Sequence, residues 1–130
     1  MHTAPYFAAF GLLTILHSWR VIRLRLKHRV AFGTGDVPDL DRMIRVFGNF
    51  TEYAPIGLVL LIALEFVQSP FWYLHLCGVT LLLGRTLHAI ALGRGKGVGR
   101  GRVVGMVLTL TSIALSSLGV LFFSMFGTAA

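Results

Sequence analysis

The sequence has little charge and very little acid. Only 13% of its 130 residues are charged, and 12 Lys and Arg stand against 5 Asp and Glu. With 55% hydrophobic residues and a mean hydropathy of +0.78, the composition excludes an ordinary soluble domain. Cysteine is nearly absent. Cys77 alone rules out an internal disulfide framework, and its Leu- and Val-rich surroundings read as those of a buried, inert thiol. No His or Cys spacing suggests a metal, so no metal site is expected. A basic leader is missing too: residues 1–10 carry no Lys or Arg, whereas Arg20, Arg23, Arg25 and Lys27 follow the first apolar run. That order anchors a helix and argues against a cleaved signal peptide.

What the sequence does have is four apolar runs, at about 4–26, 43–67, 71–92 and 103–126. Each exceeds the roughly 20 residues needed to cross the hydrocarbon core at 1.5 Å per residue. The expected fold is an all-α membrane protein, a bundle of four transmembrane helices forming a single domain over residues 1–130. The formal net charge of +7 collects in the first and third connections, and this clustering excludes a nucleic-acid surface. It also predicts that both termini face away from the cytoplasm. The first connection, 27–42, holds Gly33, Gly35, Pro38 and three aspartates, and predicts a loop with the helix restarting after Asp39 or Asp41. The third, 93–101, alternates glycine with Arg94, Lys96 and Arg100, but lacks both the spacing and the preceding strand of a dinucleotide fingerprint. Trp19, Trp72 and Tyr73 fall near helix ends, as interfacial aromatics do.

The polar residues inside the runs are the informative ones, because an ionisable side chain at depth costs at least about 2.5 kcal/mol. Arg45, Asn49 and Glu52 fall on one face of the second helix, with Tyr53 beside them. Arg45 and Glu52 are about 10.5 Å apart along the axis, so each calls for a partner elsewhere. Pro55 removes a backbone donor one turn later. Arg85 and His88 are neighbours on the third helix at the same expected depth, while Arg20 and Arg23 end the first helix and Arg100 and Arg102 begin the fourth. Four helices are thus expected to bring polar groups to one layer.

Blander readings stand beside this one. The basic residues of the first helix also suit a topogenic or headgroup role. Glu52 could simply pair with Arg85, His88 could be packed, and His17 and His75 read as packing or interfacial residues. As a site, the layer calls for a small zwitterionic peptide with excess negative charge: arginines for carboxylates, Glu52 for an ammonium group, Asn49 for an amide. If that peptide carries a thiol, a nearby arginine favours the nucleophilic thiolate, and the lipid phase supplies a greasy electrophile.

The run Arg45-Val-Phe-Gly-Asn49-Phe-Thr-Glu52-Tyr53-Ala-Pro55 resembles the second-helix signature R-x-x-x-N-x-x-E-x-x-P of the MAPEG superfamily, the membrane-associated proteins in eicosanoid and glutathione metabolism that include microsomal glutathione transferases. Gly84-Arg85-Thr-Leu-His88-Ala resembles the third-helix motif, and Arg102-Val-Val-Gly105-Met-Val-Leu-Thr109 the start of the fourth helix in bacterial members. The resemblance covers nearly the whole chain. It implies a homotrimer with glutathione, as cosubstrate, bound between subunits near the cytoplasmic side. Arg45, Asn49, Glu52, Tyr53 and Arg85 would hold the peptide, with His88 and Arg23 added to the set. Arg102 would stabilise the thiolate, with Arg100 as its alternative.

Three positions depart from the pattern: His88 and Leu92 stand where leukotriene-forming relatives have tyrosines, and Phe47 replaces a polar residue. These argue against a leukotriene-type substrate. The expected function is a glutathione transferase or peroxidase acting on lipophilic electrophiles or lipid hydroperoxides, in a bacterial inner membrane. Two rivals differ in class. One is a non-catalytic lipid-binding member of the same superfamily. The other is a small proton-coupled exporter using Glu52, against which the neighbouring Arg45 argues because a cation site gains nothing from a fixed positive charge. Ser112, Ser116 and Gly119 give the fourth helix a small-residue surface that suits oligomer packing.

Overall fold

The computed structural model describes residues 1–95 and 99–127, so Lys96 of the basic third connection lies outside the described residues. Four helices follow one another: α1 Ala4–His28, α2 Pro38–Phe66, α3 Phe71–Gly93 and α4 Arg100–Phe126. All four are long and apolar enough to cross a membrane, and no strand occurs among the described residues.

The helix ends follow local chemistry. Proline in the first turn suits α1 and α2, since its missing N–H has no intrahelical partner there. At the other end of α1, Arg29 takes a left-handed conformation (φ 55°) that stops the helix. Arg25 then donates from Nη1 to the carbonyls of Ala31 (3.2 Å) and Gly33 (3.1 Å), folding the connection back on the helix end. α2 begins at Pro38, slightly ahead of the restart expected after Asp39 or Asp41 and of the apolar run at 43. Asp39 and Asp41 occupy its first turn, where the helix dipole favours acids. Each also meets a cation further along the helix, Arg42 and Arg45 respectively, at 3.1 Å. At the far end of α2 Glu65 accepts from the backbone amides of His2 and Thr3 and from the Thr3 hydroxyl, which ties the start of α1 to the end of α2. Nothing local in the sequence singles out Glu65, since its partners lie more than sixty residues away.

α2 and α3 occupy the middle of the bundle. α1 packs mainly on α2, and α4 mainly on α3. The apolar core joins Tyr6 and Phe10 of α1, Phe50, Ala54, Leu61 and Leu64 of α2, and Leu74, Cys77 and Leu81 of α3. Cys77 is wholly buried, as an inert thiol should be. Outward side chains such as Leu12, Ile15, Val59, Leu118 and Leu121 are exposed on the protomer, as expected of an integral membrane protein whose solvent is lipid.

The seam between α3 and α4 is backbone against backbone. A Cβ on Gly105 would lie 2.6 Å from the His88 nitrogen, and one on Gly84 would lie 2.8 Å from the Thr109 nitrogen. The small residues of α4 continue this seam: Ser112, Ser116 and Gly119 are buried, and the Ser112 hydroxyl donates to the Cys77 carbonyl at 2.7 Å. The small-residue surface, read from the sequence as suited to close helix packing, therefore packs on α3 inside the protomer. Tyr73 is drawn in as well. Its hydroxyl donates to the Leu115 carbonyl at 2.7 Å, making it an interhelical strut, while Trp72 stays exposed.

Gly105→Ala should force the two helices apart and lower stability by about 1–3 kcal/mol, the usual cost of overpacking. Gly11, with nothing within 4 Å of its would-be Cβ, should accept alanine without loss. Thermal unfolding of the two variants in the same detergent checks this; equal midpoints would refute the tight seam.

Candidate functional site

The seam brings Arg85 and His88 against the start of α4, and α2 covers them from the other side. Arg85 is 0% exposed. Its Nη2 donates to both acceptors of Asn49, the backbone carbonyl at 3.0 Å and the side-chain Oδ1 at 2.7 Å. Its Cζ lies 5.2 Å from the centre of the Tyr53 ring, a cation–π contact. Among the described residues, Nε and Nη1 of Arg85 and Nδ1 of His88 are buried without a hydrogen-bond partner. A buried donor left unmet costs about 1–3 kcal/mol, and more when it is charged, so the contacts with Asn49 and Tyr53 carry the burial of this guanidinium. Because Oδ1 of Asn49 is occupied, its amide N–H groups are left to donate elsewhere.

Beside this pair lies a cavity of about 480 Å³. α2 lines it with Arg45, Gly48, Asn49 and Glu52, which share one face through steps of three and four residues. Gly48 leaves its part of the wall open, since a Cβ there would meet nothing within 4 Å. α3 contributes His88 and Leu92, and α4 contributes Arg102, Val103 and Met106. The chemistry is mixed: two arginines, one carboxylate, an amide and an imidazole against an apolar wall.

The expected residues do not all fall together. Arg45, Asn49, Glu52, His88 and Arg102 line the cavity. Arg85 and Tyr53 stand behind it, Arg85 as the support for Asn49 and Tyr53 as the support for Arg85. Arg100 is exposed and outside the cavity, which separates it from Arg102. Arg23 lines a different cleft, with Arg20, Leu24, Lys27 and Met43. Three helices of one protomer, not four, therefore build the layer. The partner of Arg85 is Asn49; no ion pair joins it to Glu52 among the described residues. Arg45 likewise finds its partner in its own helix, at Asp41. That spacing of four was legible in the sequence, but the expected loop hid it. Met106, four residues beyond Arg102, was missed because an apolar residue on an apolar helix carries no distinguishing signal.

The pattern of the MAPEG family matches residues 3–122. The chain belongs to the MAPEG family. Two relatives are the inner membrane protein YecN of Escherichia coli strain K12 and the protein of the same name from Escherichia coli O6:H1. Each is 41% identical over 88 residues, which cover 68% of this chain and 67% of the relative. In this MAPEG chain the second-helix signature thus has two parts: Arg45, Asn49 and Glu52 reach the cavity, while Tyr53 braces the arginine of the next helix.

Asn49→Ala removes the side-chain acceptor of a buried cation. It should cost about 1.5–3 kcal/mol, the range for a hydrogen bond to a charged group, whereas Asn49→Asp keeps an acceptor and should cost less. Denaturation of both variants in one detergent measures the difference; identical stability of Asn49→Ala and the parent would show that Arg85 does not depend on this contact.

Proposed function

We propose that this MAPEG protein is a membrane glutathione transferase or peroxidase, joining glutathione to lipophilic electrophiles or reducing lipid hydroperoxides with it. The observation that carries the reading is the composition of the cavity, where Arg45, Arg102, Asn49, Glu52 and His88 converge. Glutathione carries two carboxylates, one ammonium group, two peptide links and a thiol. Arg45 takes a carboxylate, Glu52 the ammonium group and Asn49 a peptide carbonyl through its unused N–H donors. The guanidinium of Arg102 stabilises the thiolate. Leu92, Val103 and Met106 offer the apolar wall that a greasy second substrate needs.

In the transferase reaction the thiolate attacks the electrophilic carbon, a C–S bond forms, and the leaving group departs with the electron pair of its bond. In the peroxidase reaction the thiolate attacks the outer hydroperoxide oxygen and releases the alcohol; a second glutathione converts the resulting sulfenic acid to the disulfide and water. The nucleophile belongs to the cosubstrate in both. The chain's part is to bind, orient and stabilise charge.

A homotrimer belongs to this reading. Arg45 and Glu52 are exposed on the isolated protomer although they sit on a membrane-crossing helix, and a neighbouring subunit would remove them from lipid. The basic first and third connections support a site near the cytoplasmic face and both termini on the other side. The E. coli relatives, named as inner membrane proteins, support a bacterial inner membrane. The apolar wall also favours a second reading, a non-catalytic protein that holds a fatty acyl chain there with its carboxylate on Arg45 or Arg102.

Calorimetric titration of glutathione into the detergent-purified protein separates the two readings. Saturable binding, lost in Arg45→Ala and Glu52→Ala, supports the peptide site; no glutathione binding with saturable fatty-acid binding selects the second. Arg102→Ala should slow conjugation of an activated aryl halide by about 10- to 100-fold while changing glutathione affinity little. Full activity in that variant removes Arg102 from the chemistry.

A further inference from the structure

In the glutathione reading Arg45, Glu52, Asn49 and Arg102 each meet a group of the peptide, and His88, the other polar residue lining the cavity, does not. His88 is 5% exposed. Its Nδ1 is buried with no hydrogen-bond partner among the described residues, which leaves Nε2 as the ring nitrogen for the cavity. A histidine is often locked in one tautomer by a bond from Nδ1 to a carbonyl or carboxylate. Nothing locks this ring, so Nε2 is able both to accept a proton and to donate one. The residue is nonetheless firmly placed, because α4 approaches its backbone at Gly105, where a Cβ would lie 2.6 Å from the His88 nitrogen. Arg102 stands one turn before that glycine, on the same cavity wall.

The charges around the ring are mostly positive. Arg85 precedes it by one turn on α3, Arg102 acts on it from α4, and Arg45 and Glu52 face it from α2 across the cavity. In the proposed homotrimer, Arg23 of a neighbouring subunit would add one more cation. A proton placed on the ring therefore meets like charge from two helices, and a thiolate beside it supplies the missing counter-charge. The ring is suited to carry a proton while an anion stands next to it and to release that proton when the negative charge moves on.

We infer that His88 is the proton carrier of this site and fits it to lipid hydroperoxides in preference to halides, an inference that rests on the glutathione reading above. Nε2 takes the proton of the glutathione thiol as the thiolate forms beside Arg102. The thiolate attacks the outer oxygen of the hydroperoxide, an S–O bond forms, the O–O bond breaks, and its electron pair goes to the inner oxygen as an alkoxide. Nε2 returns the proton to that alkoxide. The products are the alcohol and glutathione sulfenic acid, and the imidazole ends neutral as it began. An alkoxide leaving beside the apolar wall of Leu92, Val103 and Met106 needs a proton, because that wall cannot solvate its charge. A departing halide needs none, so conjugation of an aryl halide gains less from His88.

The test compares two activities of the detergent-purified full chain, glutathione-dependent reduction of cumene hydroperoxide and conjugation of an activated aryl halide, with glutathione titrated into the same preparations. His88→Gln should still bind glutathione saturably, and should lose hydroperoxide reduction by about 100-fold with a much smaller loss of conjugation. Imidazole added to His88→Ala should restore part of the reduction. Raising the pH adds thiolate but empties the carrier, so in the parent protein the ratio of reduction to conjugation should fall as pH rises, whereas in His88→Gln it should stay flat. Equal loss of both activities in the variant makes His88 a binding or packing residue and overturns the proposal. A parent protein that conjugates the halide without reducing the hydroperoxide also overturns it, and both of these results leave the glutathione reading standing. A parent protein that binds no glutathione overturns the two together.

Discussion

Arg85 is a cation with no exposed surface on a helix that crosses a membrane, and most of the site's architecture follows from keeping it there. Lipid cannot solvate it, so protein groups must. Asn49 offers two oxygens and Tyr53 the face of its ring, both from α2. On the other side α4 approaches through Gly105 and Thr109, close enough that the backbones of α3 and α4 touch. Packing of this kind holds the three helices in register at one depth. The cavity beside Arg85 is the space left between helices so arranged, and its polar lining comes from neighbours of residues already needed to bury the charge.

The few acids in the chain divide its cations into two groups. Asp39 and Asp41 neutralise arginines at the start of α2, and Glu65 is engaged at the opposite end of that helix. Glu52 alone reaches the cavity, where it stands among Arg45, Arg102 and His88. A site with both signs of charge suits a zwitterion. The cleft on α1 is lined by three cations with Leu24 and Met43, and by no acid. The two clefts thus differ in charge because of the placement of one carboxylate.

The fold was largely legible before any coordinates, because hydropathy and length decide whether a helix can cross a membrane, and each of the four runs passes that test by itself. The start of α2 was expected a few residues late, after Asp39 or Asp41 and not at Pro38, since glycine and proline in the connection outweighed the local support that Asp39 and Asp41 give a helix. The small residues of α4 were visible as a packing surface, but nothing in their spacing says which helix they will meet. That they meet α3, and not another subunit, depends on the complementary shape around Cys77 and Gly84.

For the site, one-dimensional spacing established that Arg45, Asn49 and Glu52 share a face and that Arg85 neighbours His88, because helical periodicity is a property of the chain alone. It could not assign partners. Whether Arg85 meets Glu52 or Asn49, whether Tyr53 lines a cavity or braces an arginine, and whether Arg23 joins the layer or a separate cleft are decided by how helices rotate and slide against one another. Those choices are made by contacts between residues more than twenty positions apart, at Gly84 with Thr109 and not at Arg85 itself in one case, and at Asn49 with Arg85 in the other. The sequence determined a membrane bundle with charged residues inside its apolar runs; only the packing of α3 on α4 and of both on α2 gathered some of those charges into one cavity of mixed chemistry, because which helix faces meet is decided by shape and not by spacing.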